Sequence, residues 1–132
     1  MLVGVDERAI ADQRTAVREA CAALPEAEIR EGQHWALSVR GKKFAYHLVD
    51  HHGDGRVAVQ VKAAPGESAA LVAADPERFF LPPYMARHGW VGLYTDGDDV
   101  DLGEVRELIE DAYRLTAPKR LVALLDEPAP PS

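Results

Sequence analysis

Cysteine is almost missing from this chain: Cys21 stands alone among 132 residues, so no internal disulfide can form. Long apolar runs are missing as well. Even Leu121 to Leu125 is bounded by charge, far short of the ~20 residues needed to cross a bilayer. The stretch from Met1 to Ile10 has no basic region followed by a long apolar segment, which with the lone cysteine predicts a cytoplasmic protein away from membranes. Nor is there an excess of positive charge. At a formal −7 the chain is a poor candidate for coating itself in nucleic acid, because phosphate binding relies on clustered Lys and Arg. The acidity is local, however: Asp96, Asp98, Asp99, Asp101, Glu104, Glu107, Glu110 and Asp111 face the single base Arg106, and this segment alone equals the whole excess. The remainder is close to neutral and leaves room for a basic patch.

Signatures of catalysis are also missing. The chain has no phosphate loop of the G-x-x-x-x-G-K-[ST] or G-x-G-x-x-G kind, no G-x-S-x-G elbow and no Cys-x-x-Cys pair, and its only serines are Ser38, Ser68 and Ser132. Glu26, Glu28 and Glu31 read as carboxylates on an exposed connection, with nothing to shift them toward acid–base work. His47, Asp50, His51, His52 and Asp54 form one His/Asp cluster, but most of it falls in a glycine-rich turn with no fourth ligand, so a polar hairpin is expected rather than a metal centre. The expectation is a protein without enzymatic activity or cofactor.

What is present is a clear change of period along the chain. Ile10, Val17, Ala20, Cys21 and Leu24 recur at helical spacing between Asp6 and Leu24, and Pro25 closes that helix. Cys21 falls on the apolar stripe and reads as a small core residue. Three alternating runs follow, around Trp35–Val39, Phe44–Val49 and Val57–Lys62. The glycines at 41 and at 53 and 55 offer tight turns between them, which predicts an antiparallel meander. Ser68 to Ala74 reads as a short helix stopped by Asp75-Pro76, Phe79 to Met85 as an apolar loop, and Trp90 to Thr95 as a fourth strand. Leu102, Val105, Leu108, Ile109 and Ala112 restore the helical period behind a cap at Asp99 or Asp101, and Pro118 opens a last short helix through Leu125. The prediction is one α+β domain over residues 1–125, ordered α-β-β-β-α-β-α-α, with a four-stranded antiparallel sheet and helices on one face. A disordered proline-rich tail over 126–132 would complete it.

Alternation assigns Trp35, Leu37, Val39, Phe44, Tyr46, Leu48, Val57, Val59 and Val61 to the helix-covered face of the sheet. Ala36, Ser38, Arg40, Lys43, Ala45, His47, Val49, Ala58, Gln60 and Lys62 fall to the other face, joined by Trp90 or Tyr94 according to register. The second set is smaller and wetter, suited to plain solvation or to holding a ligand. Arg40, Lys42 and Lys43 cluster at a hairpin tip near Lys62, a basic edge able to reach phosphates or simply to keep the sheet end soluble. Tyr84 and Trp90 are of the types that stack on bases or flat ligands, although the loop from Phe79 to Tyr84 also suits a core plug.

Several local words agree with one known family: Gly32-Gln33-His34-Trp35-Ala36-Leu37-Ser38-Val39-Arg40-Gly41-Lys42-Lys43-Phe44-Ala45, Val59-Gln60-Val61-Lys62, Pro82-Pro83-Tyr84-Met85-Ala86-Arg87-His88-Gly89-Trp90-Val91 and Asp111-Ala112-Tyr113-Arg114-Leu115. Spread over nearly the whole chain, they resemble the MmcQ/YjbR family. The resemblance implies a double-wing α+β fold similar to CyaY-like or secretion-chaperone-like folds, and a DNA-binding role. Carried onto this sequence, it implies contacts from Lys42 and Lys43 at a wing tip, Lys62 on the third strand, and Arg87, His88 and Trp90 at the fourth. Arg114, Lys119 and Arg120 would add to these near the last helices. Weak, mostly phosphate-directed DNA binding is the leading expectation. A self-resistance protein that sequesters an aromatic drug or antibiotic, and a protein-interaction module, are the alternatives.

Overall fold

The computed structural model describes residues 7–97 and 100–127. The first helix, α1 (Glu7–Ala22), buries Ala16, Val17 and Cys21 as its spacing predicts. Burial pushes the Cys21 thiol up, so the residue acts as a small apolar side chain rather than a nucleophile. Strands β1 (Ala27–Arg30), β2 (Trp35–Val39), β3 (Lys42–Val49) and β4 (Val57–Lys62) form a consecutive antiparallel run. Helix α2 (Glu67–Ala74) and strand β5 (Phe79–Phe80) lead into β6 (Trp90–Tyr94), which pairs with both β4 and β5. The sheet thus has six strands, in the order β1-β2-β3-β4-β6-β5. Helices α3 (Leu102–Thr116) and α4 (Lys119–Leu125) complete the chain.

The α+β class and the one-sided helix layer agree with the sequence reading, but the sheet is larger than the four strands expected. Both extra strands are edges. Residues 27–30, read as a connection, alternate Ala27 and Ile29 inward with Glu28 and Arg30 outward, and this half-buried pattern suffices once β2 supplies the ladder. At Phe79 and Phe80 only two residues pair with β6 before Pro82 and Pro83 end the strand, too short for periodicity to register.

The β2–β3 turn is a two-residue connection in which Arg40 (φ 52°) and Gly41 (φ 78°) are both left-handed, the geometry that matches strand twist in a hairpin. Only Gly41 adopts it freely. Arg40 is held there by a bidentate pair with Glu26 at 2.7 and 3.0 Å. Asp101 caps α3, its Oδ1 accepting from the Gly103 and Glu104 N–H groups at 2.9 and 3.2 Å; the other expected cap, Asp99, lies outside the described residues. Asp126 accepts from Arg114, and residues 128–132 of the expected tail lie outside the described residues.

The core lies between the sheet and α1 and α3, with Val105, Ile109, Ala112 and Tyr113 of α3 facing Phe44 and the β4 valines. Phe44 meets Tyr113 edge-on, with ring centroids 5.6 Å apart, and the Tyr113 hydroxyl donates to the Pro25 carbonyl at 2.7 Å.

A β-bulge corrects the predicted sheet faces. The β2–β3 register shifts between Leu37 and Ser38, so that Leu37 opposes Ala45 while Ser38 opposes Lys43. One extra residue on β3 lets Phe44 and Ala45 both turn toward the helices, and beyond it the parity of the strand is reversed. Ala45, His47 and Val49 therefore share the helix side with Val57, Val59 and Val61, whereas Tyr46 and Leu48 move to the opposite side. Strict alternation had given the reverse for all five β3 positions.

On that opposite side the Phe80 ring lies directly over Gly92, where any Cβ would overlap it, and stacks on Tyr94 with centroids 4.3 Å apart. Gly92→Ala should accordingly destabilise the protein by about 1–3 kcal/mol through overpacking. In a Phe80→Ala background the same change should cost less than about 0.5 kcal/mol. Urea unfolding of both single variants and the double variant measures this coupling, and strict additivity would refute it.

Candidate functional site

The face away from α1 and α3 is built in rows, because residues opposite one another on adjacent strands share a side. One row crosses the whole sheet: Arg30, Ala36, Tyr46, Gln60, Gly92, Phe80. Beside it run Glu28, Ser38 and Lys43 on β1–β3 and Lys62 with Trp90 on β4–β6. On the other flank lie Leu48, Ala58 and Tyr94. The result is an aromatic cluster with a basic margin, in which Tyr46 is half-buried and Trp90 is buried at 3% exposure. Tyr46 and Trp90 pack with centroids 5.4 Å apart, and the Lys43 ammonium lies 5.9 Å from the Tyr46 ring. Next to Lys43, a shallow groove of about 540 Å³ is lined by Glu28, Arg30, Ala36 and Ser38.

Charge pairing neutralises most of the arginines away from this face, although Lys42, Lys119 and Arg120 also have no ion-pair partner among the described residues. Most arginines elsewhere are neutralised: Arg18 by Glu31, Arg40 by Glu26, Arg56 by Asp96, Arg78 by Asp75 and Glu104, Arg106 by Glu19, and Arg114 by Glu110 and Asp126. Burial alone pushes the Asp96 carboxyl up, but hydrogen bonds from Arg56 and the Val57 N–H outweigh it and hold the group below the ordinary carboxylate range. Arg30, Lys43 and Lys62 have no ion-pair partner among the described residues. In a chain of net charge −7 the open face therefore carries three uncompensated bases against the one carboxylate of Glu28.

The expected site residues divide into four groups. Lys43, Lys62 and Trp90 share the open face. Tyr84, Arg87 and His88 belong to the loop that enters β6 at the Lys62–Trp90 end, where the Ala63 N–H donates to the Gly89 carbonyl at 3.1 Å. Arg87 Nε donates to His88 Nε2 at 3.3 Å. Arg40 is occupied by Glu26, and exposed Lys42 opposes Val39 on the helix-side parity. Arg114, Lys119 and Arg120 lie on α3 and α4 in the helix layer, with Arg114 held by Asp126. The bases named for one surface are thus split between the two sides of the sheet.

Two members of the face, Arg30 and Tyr46, were missed as site residues. Arg30 was hidden by reading β1 as a connection, although its Ala-Glu-Ile-Arg alternation is visible in the sequence. Tyr46 was placed in the core by alternation that does not count the bulge.

The His/Asp cluster does other work. His47 is 1% exposed, and its Nε2 donates to Gln13 Oε1 at 3.0 Å; the same oxygen accepts from the Thr95 hydroxyl at 2.7 Å while Gln13 Nε2 donates to the Thr95 carbonyl at 2.7 Å. Burial, with the nearby Arg14 charge adding to it, pushes the His47 imidazole down to about 4. Asp50 and Asp54 accept from the Gly55 and Arg56 N–H groups and so shape the turn. The His52 side chain lies outside what the structure describes. Among the described residues, no three His, Cys, Asp or Glu side chains are grouped to hold a metal ion.

Fold and site together define a class: an α+β domain whose antiparallel sheet is covered by helices on one face and carries three unpaired bases around a partly buried aromatic cluster on the other. Residues 22–115 match the family model described as YjbR, and the chain belongs to the YjbR family, as the motif words suggested. Among solved structures it is similar to a Deinococcus radiodurans protein with a DUF419 family-model domain. The two share 19% identity and a TM-score of 0.64 over 85% of this chain and 86% of that one. It is similar also to a Pseudomonas syringae protein, with 13% identity and a TM-score of 0.58 over 86% of this chain and 100% of that one. These likenesses concern the fold. The comparison with curated proteins returns no match. No helix among the described residues is long and apolar enough to cross a membrane.

Proposed function

We propose that this protein is a non-enzymatic nucleic-acid-binding domain whose open sheet face lies along a phosphate backbone. The supporting observation is the set of uncompensated bases Arg30, Lys43 and Lys62 around a partly buried aromatic cluster, while the arginines around it are mostly paired with acids. Phosphate contacts of this kind position the ligand and carry little base information, so the binding is weak and of low sequence specificity. Three contacts set a modest salt dependence. Affinity for DNA should fall about 20- to 40-fold between about 50 and 200 mM salt. A fluorescence-anisotropy titration at both salt concentrations tests this, and binding that is undetectable at low salt or insensitive to salt would overturn it. Salt-insensitive binding of planar drugs would instead favour a small-molecule role for the half-buried Tyr46 ring.

A further inference from the structure

Tyr84 is the most exposed large apolar side chain among the described residues, at 87%, and its backbone is left-handed at φ 67°. Both properties are unfavourable: an L-residue at this φ crowds its Cβ against the backbone, and an aromatic ring in water forgoes burial. The conformation is nevertheless imposed from both sides. Pro82 is buried and its carbonyl accepts from the Ala86 N–H at 2.9 Å, closing a turn with Tyr84 at its crest. The Met85 carbonyl then accepts from the His88 and Trp90 N–H groups at 3.0 and 3.3 Å, tying the far side of the turn to the start of β6. A ring held out in solvent by a hydrogen-bonded, strained turn is an exposed platform rather than a plug, and such strain is retained where surrounding structure over-determines it. Trp90 opposes Lys62, so the turn joins the basic face at its Lys62 end.

We infer that Tyr84 stacks on an unpaired base, making the preferred ligand single-stranded nucleic acid rather than duplex. This rests on the phosphate-binding reading of the open face. In a duplex the flat surfaces of the bases are covered by their neighbours, whereas a single strand can lay one base on the phenol ring while its phosphates follow Lys62 and Lys43. Stacking on an aromatic ring tolerates any base, which agrees with a face that offers little base reading.

The test compares a thymine-only single strand with an adenine–thymine duplex of the same length at low salt. The single strand should bind at least about fivefold more tightly, Tyr84→Ala should reduce it to the duplex level, and Tyr84→Phe should retain the preference. Tyr84→Gly separates binding from folding. It should melt about 3 °C above Tyr84→Ala because glycine relieves the left-handed strain, yet bind the single strand as poorly. A duplex bound as tightly as the single strand, or unchanged single-strand affinity in Tyr84→Ala, would overturn the inference and leave the phosphate reading standing. Absence of binding to either ligand would overturn both.

Discussion

Between pH 6.5 and about 4, the native state should lose about 3 kcal/mol of stability through His47 alone. The sign follows from the direction of the shift. Burial against Gln13 and beside Arg14 holds the folded-state imidazole well below the ordinary value of 6.5, so across this window the unfolded chain binds a proton that the native state does not. The contribution is complete above the unfolded value and is lost as pH falls through the folded one. Protonation would also disturb the packing around Trp35, whose ring meets His47 at 6.5 Å with Arg14 5.2 Å from its centroid. Urea unfolding at about pH 7 and about pH 4.5 should show the wild type losing about 2–3 kcal/mol more than His47→Gln, which retains a side-chain donor but cannot titrate there. Paired carboxylates such as Glu26, Glu31 and Asp96 are held below their ordinary range and add an acid loss common to both proteins. Equal pH dependence in the two would remove His47 from the account.

The second large effect concerns ligand binding. In Lys43→Gln/Lys62→Gln, the slope of log affinity against log salt should become shallower by about 1.4–1.8, because each lysine that neutralises a phosphate releases one condensed counterion. With Arg30 remaining, the affinity change between about 50 and 200 mM salt should shrink to about threefold. The comparison variant is Lys119→Gln/Arg120→Gln, which removes the same charge from α4 in the helix layer. It should leave the slope nearly unchanged, since those residues do not share the open face with Lys43 and Lys62. Equal effects from the two double variants would show that overall charge, rather than this face, governs binding. All four side chains are solvent-accessible and without ion-pair partners among the described residues, so none of these changes leaves a buried charge unpaired.

Much of the fold was legible because local physics and tertiary packing agree. The apolar stripes of α1 and α3, the Asp101 cap, Gly41 in a two-residue turn and Pro118 before α4 each express a preference of a few neighbouring residues, and the structure retains all of them. Lys62 and Trp90 could be assigned to the open face because β4 keeps strict alternation and its register with β6 is regular. The family words around Gly41-Lys42-Lys43 and Pro82 to Val91 likewise pointed to the right family, as short local patterns can.

Three features lay beyond the sequence. The bulge opposite Leu37 and Ser38 depends on how β2 and β3 pair, and no residue within β3 announces it, yet it decides whether Tyr46 or His47 meets solvent. Whether an arginine is free depends on acids distant in the chain: Arg106 finds Glu19 and Arg56 finds Asp96 only once the chain has folded. The strain at Tyr84 likewise comes from the clamp between Pro82 and Trp90, not from any preference of tyrosine. By itself the sequence determined the helices, the central strands, the acidic balance and the family, since each follows from residue type and near-neighbour spacing. Tertiary structure alone decided which face of β3 looks outward and which bases stay uncompensated, because strand register and ion pairing are properties of segments brought together from afar.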